Sequence, residues 1–144
     1  MDLILWRHAD AEDGADDLAR RLTPKGREQA AAMAKWLRAH LPKDYTLVSS
    51  PAVRAQQTAQ ALGASIVTDI TLAPGASVGD ITTAAERHMG QKGQGLAILV
   101  GHQPDLGKAA AKLAGASGEW PIEKGAIVWF ASGRIKAWLS TDLL

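Results

Sequence analysis

Apolar residues along this chain are arranged in two alternating ways: short unbroken runs, and longer stretches in which they recur every three or four positions. Residues 3–6 form the first run, short and flanked by polar residues, which predicts a buried strand. Over 24–41 the period changes. Ala30, Met33, Ala34, Leu37 and Leu41 share one helical face, Thr23 can cap the helix, Pro24 suits its first turn and Pro42 ends it. A strand over 45–49 is followed at once by a helix over 51–62, which Gly63 closes. Further on come a strand over 65–68, a Pro/Gly loop over 73–79, a helix over 80–89 and a turn over 90–95. The clearest strand is 96–100, and the alanine-rich helix after it, 105–114, is ended by 115–118. Two β-prone runs, 126–130 and 135–139, flank 131–134, whose Ser-Gly pair predicts a hairpin. Strands alternating with helices predict a three-layer α/β/α fold: a mostly parallel central sheet, helices on both faces and a C-terminal antiparallel hairpin at one edge.

Composition narrows the picture without redirecting it. At 144 residues, 47% hydrophobic and 22% charged, the chain reads as one globular domain, 1–144. Sixteen basic against fifteen acidic residues leave a net charge of +1, too balanced for a broad basic face, so nucleic acid is not an expected partner. With no cysteine, disulfides and thiolate metal sites are excluded. Asp2 precedes a very short apolar stretch without a basic leader, and no run approaches the ~18 residues of a membrane span. No membrane association and a cytoplasmic location are therefore expected.

The chemistry is concentrated where strands end. In open α/β sheets ligands gather beyond the carboxyl ends of the strands, where helix amides face outward. The first predicted strand delivers Arg7 and His8, the second delivers SSPAVRAQQTA with Arg54 in the first turn of its helix, and the 96–100 strand delivers GHQPDLG with His102. Two arginines and two histidines on one rim point to a site for a phosphoryl group, because guanidinium forks match phosphate oxygens. A neutral imidazole whose other nitrogen is held by a hydrogen bond is a capable nucleophile, and His8 is the choice for that role. A metal is not expected: zinc usually recruits a third protein ligand, and the arginines would repel a cation. No cofactor is implied.

Three patterns together, RH after the first strand, SxxxRAxxTA after the second and GH before a later helix, resemble the histidine phosphatase superfamily. Residues 20–30, RRLTPKGREQA, also resemble the RxLTxxG segment of the short, single-domain phosphohistidine phosphatases of bacteria. The resemblance covers most of the chain. It implies that His8 becomes phosphorylated and is then hydrolysed, that Arg7 and Arg54 bind phosphate, and that His102 is the second histidine of the site. By the same correspondence Arg21 becomes a further phosphate contact, while Thr23 and Gly26 shape the turn and Arg20 is left at the surface.

One departure points to the substrate. Many ester-cleaving members of the family that the chain resembles carry a glutamate after the second helix that protonates the departing alcohol. Between Leu62 and Ile81 this chain has only Asp69 and Asp80, neither in the LxExxxG context of those members. An alkoxide, the conjugate base of an acid of pKa about 16, needs such a donor. A phosphorylated imidazole does not. Once its free nitrogen is protonated by solvent, it leaves as neutral imidazole, whose conjugate acid has a pKa of about 6.5. The expected substrate is accordingly phosphohistidine on a protein, reached through an open site. Asp10 and Glu12 are the alternative sources of an acid, although a solvated loop is the simpler reading of both. The competing functions are a small-molecule phosphomonoesterase or mutase, and a non-catalytic module that binds phosphorylated partners. His40 and His88 match no motif, Ser49 and Ser50 either shape a turn or offer a hydroxyl to phosphate, and the five tryptophans are expected to pack.

Overall fold

The structure is a computed structural model that describes residues 2–89 and 95–144. Its strands are β1 (Asp2–Arg7), β2 (Tyr45–Ser49), β3 (Ile66–Thr68), β4 (Leu96–Gly101), β5 (Ile127–Ala131) and β6 (Arg134–Leu139). Its helices are α1 (Pro24–His40), α2 (Val53–Gln60), α3 (Val78–His88) and α4 (Asp105–Leu113). The strands form one sheet in the order β3-β2-β4-β1-β5-β6. β3, β2, β4 and β1 run parallel, whereas β5 pairs antiparallel with both β1 and β6.

Side-chain alternation along the strands produces the three layers. Leu3 and Leu5 face the side covered by Ile81, Ala84 and Ala85 of α3 and by Leu106, Ala109 and Ala110 of α4. Ile4 and Trp6 face the opposite side, against Met33, Ala34 and Leu37 of α1 and Ala55 and Ala59 of α2. Parallel strands buried on both faces must be apolar throughout, and every residue of β4 is buried. The alanines of α4 bring that helix close to the sheet. The hairpin turns through Ser132 and Gly133, both at positive φ (51° and 75°), the backbone that a two-residue turn between twisted strands requires.

Two helix starts differ from expectation. α3 begins at Val78, because Ser77 and Asp80 form a reciprocal capping box that places Gly79 inside the helix. α2 begins at Val53, not 51, because the Ser50 hydroxyl accepts from the Ala52 amide and holds Pro51 in a bend before the helix. The turn expected over 90–95 lies outside the described residues apart from Gly95.

The start of α1 shows how a loop is locked to the sheet's upper edge. Thr23 caps the helix by accepting from Gly26 N at 3.0 Å, and its own amide donates to the Asp10 carbonyl at 3.0 Å. A Cβ on Gly26 would overlap that same carbonyl oxygen. Gly26→Ala is therefore expected to destabilise the fold by about 1–3 kcal/mol, the range for forced overpacking. Thermal unfolding would show a Tm lower by several degrees, and a change of less than one degree would contradict the packing described.

Candidate active site

The sheet order sets the site. β4 lies between β1 and β2, so the chain leaving all three emerges side by side: His8 N donates to Gly101 O and Ser50 N donates to Val100 O, each at 3.0 Å. Both crossovers to α1 and α2 lie on one face and those of α3 and α4 on the other, so this is where the winding reverses and a crevice opens. A cavity of about 320 Å³ sits there, and Arg7, His8, Arg54 and His102 all line it. The His8 and His102 ring centroids are 5.2 Å apart.

His8 is 8% exposed and has one defined tautomer. Its Nδ1 lies 2.7 Å from Ala9 O, and because a carbonyl only accepts, the proton is on Nδ1 and the Nε2 lone pair is free. The Ala9 amide donates to Thr58 Oγ1 at 3.0 Å, and Thr58 Oγ1 donates to Arg54 O at 2.8 Å, which ties the histidine's backbone to the arginine's helix. His102, 3% exposed, has its Nε2 2.8 Å from Ser50 Oγ. The serine that opens SxxxRAxxTA thus orients the second histidine, and the motif's threonine positions the first.

Three buried side-chain polar atoms have no hydrogen-bond partner among the described residues: Arg7 Nε, Arg54 Nε and His102 Nδ1. All three belong to residues lining this cavity. Buried polar atoms without partners are rare in folded proteins, and their gathering in three residues that line one opening, two of them arginines, suits an acceptor-rich group. Part of each guanidinium is anchored to protein: Arg7 Nη1 donates to Ile122 O at 2.9 Å, and Arg54 Nη1 and Nη2 donate to Asp17 O and Asp17 Oδ2 at 2.6 and 3.1 Å.

Burial, opposed by the Ala9 hydrogen bond and reinforced by the charges of Arg54, Arg7 and Arg20, lowers the His8 pKa to about 4. Burial, then the charges of His8 and Arg54, lowers His102 to about 3, against an opposing pull from Asp17. Both rings are therefore neutral at neutral pH. Between the unfolded value of about 6.5 and these folded values, the unfolded chain binds protons that the folded chain does not. Stability contributed by the neutral rings is complete above that window and is lost as pH falls through it. Thermal unfolding at pH 7.5 and 5.5 should show a drop in Tm that a His8→Asn/His102→Asn variant reduces. A variant with an equal drop would contradict the assignment.

Arg20, not Arg21, lines the cavity. Ala11 and Leu22 pair as an isolated antiparallel bridge, and Glu12 N donates to Arg21 O at 2.7 Å, so residues 20–22 are extended and successive side chains point to opposite sides. Arg20 takes the inward position and Arg21 is exposed. The open site expected from the sequence is also partly walled, because the loop carrying Ala11, Asp17 and Arg20 folds over Arg54.

Asp10, the alternative acid, and the two aspartates after the second helix are engaged elsewhere. Asp10 accepts from Lys124 Nζ at 2.8 Å and Thr23 Oγ1 at 2.7 Å, bonds that hold its carboxyl below the usual range, and it does not line the cavity. Asp69 is buried between Arg87, His88 and Thr71, and Asp80 caps α3. Asp17 is the carboxylate that does line the cavity. Desolvation would raise its pKa, but the hydrogen bonds and charges of Arg54 and Arg20 outweigh this and keep it low.

Sequence reasoning also missed Lys124, which Asp10 steers to the rim, and Gln103, whose amide spans Trp120 O and Gly107 N. Gln103 directly follows His102, a placement that the GHQ stretch made visible. Pro74 reaches the cavity because Asp105 accepts from Gly75 N and Ala76 N and so fastens its loop. His40 stacks on Trp36, away from the site. Among the described residues no cluster of three or more His, Cys, Asp or Glu side chains is placed to hold a metal ion.

Fold and site together define an α/β protein with an arginine- and histidine-lined cavity over its strand exits. Residues 3–77 match the histidine phosphatase superfamily (branch 1). An uncharacterized protein of Picosynechococcus sp. is 34% identical over 152 residues, covering 99% of this chain and 92% of the relative. The phosphohistidine phosphatase SixA of Escherichia coli K12 is 29% identical over 122 residues, covering 78% of this chain and 74% of SixA. The solved structure of the protein histidine phosphatase SixA complexed with tungstate superposes with a TM-score of 0.85 at 26% identity, over 99% of both chains. This chain belongs to the histidine phosphatase superfamily.

Proposed function

We propose that the chain, acting as a single domain over 1–144 in the cytoplasm, is a cofactor-independent phosphatase that hydrolyses phosphohistidine on proteins through a phospho-His8 intermediate. The observation that carries this reading is that Arg7, Arg54 and His102, each with a buried side-chain nitrogen that has no hydrogen-bond partner among the described residues, line one cavity with a neutral histidine, His8, whose Nε2 is free. His8 Nε2 attacks phosphorus, the P–N bond of the substrate breaks, and its electron pair goes to the departing imidazole. Water then attacks the phospho-His8, releasing phosphate and restoring the ring. In both steps Arg7, Arg54 and His102 stabilise charge on the phosphoryl oxygens. Arg20 supplies the additional positive charge at the rim.

Two points favour phosphohistidine. The carboxylates after the second helix are committed to Arg87, His88 and a helix cap, which leaves no acid there for an alcohol leaving group. The similarity to SixA, named a phosphohistidine phosphatase, agrees with this. A cavity of about 320 Å³ also has room for a small phosphomonoester, so the substrate is the property to test. A phosphohistidyl protein compared with phosphoserine, a sugar phosphate and an aryl phosphate should give a kcat/KM at least about tenfold higher for the phosphohistidyl protein. Faster turnover of the sugar phosphate would reject the proposed substrate, and binding without turnover of any substrate would favour a phospho-partner binding module.

A further inference from the structure

A carboxylate in the wall of a phosphate pocket is costly, because it repels the dianion that the pocket attracts. Asp17 is the one acidic side chain among the cavity-lining residues, beside Arg7, Arg20, Arg54 and Lys124. Its position is not incidental. Oδ2 accepts from Arg54 Nη2 at 3.1 Å, Oδ1 accepts from Arg20 Nε at 3.1 Å, and its backbone carbonyl accepts from Arg54 Nη1 at 2.6 Å. The short 3-10 turn Asp17–Ala19 thus holds the carboxylate against the Arg54 guanidinium in the cavity wall. Asp17 is also open outward: its side chain is 57% exposed, against 4% for Arg54. Each carboxylate oxygen has acceptor capacity beyond the arginine it already engages.

The chemistry that profits from a carboxylate here is a leaving group that carries an N–H and a positive charge. A phosphorylated imidazole protonated on its distal nitrogen is such a group. An ester oxygen bears no proton, and a phosphoglycerate brings a carboxylate, with no cation beside it, that Asp17 would repel. Resting on the phosphohistidine reading, we propose that Asp17 is a specificity-determining residue: it accepts a hydrogen bond from the distal ring N–H of the substrate phosphohistidine and disfavours carboxylate-bearing phosphate esters. Solvent delivers the ring proton before transfer. As the P–N bond breaks, its electron pair passes to the nitrogen that bore phosphorus, and the ring leaves neutral with its N–H intact. Asp17 gains and loses no proton in the step.

Asp17→Asn removes the charge and keeps an acceptor oxygen, while the backbone carbonyl that anchors Arg54 is unchanged. Asp17→Ser is read in parallel, and Asp17→Glu restores the charge. Each is assayed on a phosphohistidyl protein, on an aryl phosphate with neither N–H nor carboxylate, and on a phosphoglycerate, which has a carboxylate and no ammonium. The ratio of kcat/KM for phosphohistidine over aryl phosphate should fall by about tenfold or more in Asp17→Asn and Asp17→Ser, the scale of one charged hydrogen bond, and recover in Asp17→Glu. The phosphoglycerate should improve relative to aryl phosphate. Equal losses on all three substrates would mean that Asp17 merely clamps the two arginines, and would overturn the inference while leaving the phosphohistidine reading intact. A wild-type enzyme that cleaves esters but not phosphohistidine would overturn that reading, and the role of Asp17 with it.

Discussion

Replacing His8 with alanine is expected to reduce kcat/KM by about 10⁴-fold or more, the scale seen when a covalent nucleophile is removed. Without Nε2 no phosphoenzyme forms, and water would have to attack the substrate directly inside a pocket arranged around a ring nitrogen. The fold should survive. The side chain of His8 makes its one hydrogen bond to the carbonyl of its own neighbour, Ala9. The links that join this segment to the rest of the molecule are backbone bonds, from His8 N to Gly101 O and from Gly125 N to His8 O, and alanine keeps both. Circular dichroism and thermal unfolding should therefore remain near wild type while turnover disappears. Unchanged turnover in this variant would remove His8 from the mechanism.

Arg54→Ala is expected to lower kcat/KM by about 10²–10³-fold, as for loss of a preorganised donor to a developing oxyanion, with both kcat and KM affected. Two losses combine here. The cavity loses the guanidinium charge of Arg54, and the loop carrying Asp17 loses the two donors that pin its backbone and side chain. Limited proteolysis should therefore cut the 9–22 segment faster in the variant. Arg54→Lys should recover little, because one ammonium cannot reproduce the planar fork that serves Asp17 O, Asp17 Oδ2 and phosphate together. A loss of less than tenfold in Arg54→Ala, with loop cleavage unchanged, would contradict this arrangement.

How far the molecule was legible in its sequence follows from the range over which each interaction acts. Strands buried on both faces announce themselves as apolar runs, and the α1 stripe of Met33, Ala34 and Leu37 follows helical period, so sheet, layers and hairpin were readable. The strand exits then brought Arg7, His8, Arg54 and His102 to one rim, as the topology requires. The start of α3 was encoded too, in the Ser77–Asp80 spacing of a capping box, but the Pro/Gly content of the preceding loop masked it. The rim was not readable. Asp17 meets Arg54 across 37 residues and Lys124 meets Asp10 across 114, and nothing local distinguishes these side chains from a solvated loop. The choice between Arg20 and Arg21 turned on the alternation of a two-residue bridge, Ala11 with Leu22, that no propensity announces.

The central claim is that His8 carries the phosphoryl group between substrate and water. Rapid quenching of the enzyme mixed with a ³²P-phosphohistidyl protein, followed by peptide mapping, tests it directly. The account predicts a transient, acid-labile and alkali-stable label on His8 that is absent from His8→Ala. Steady turnover with no label on His8 at any time, or label on another residue, would contradict it.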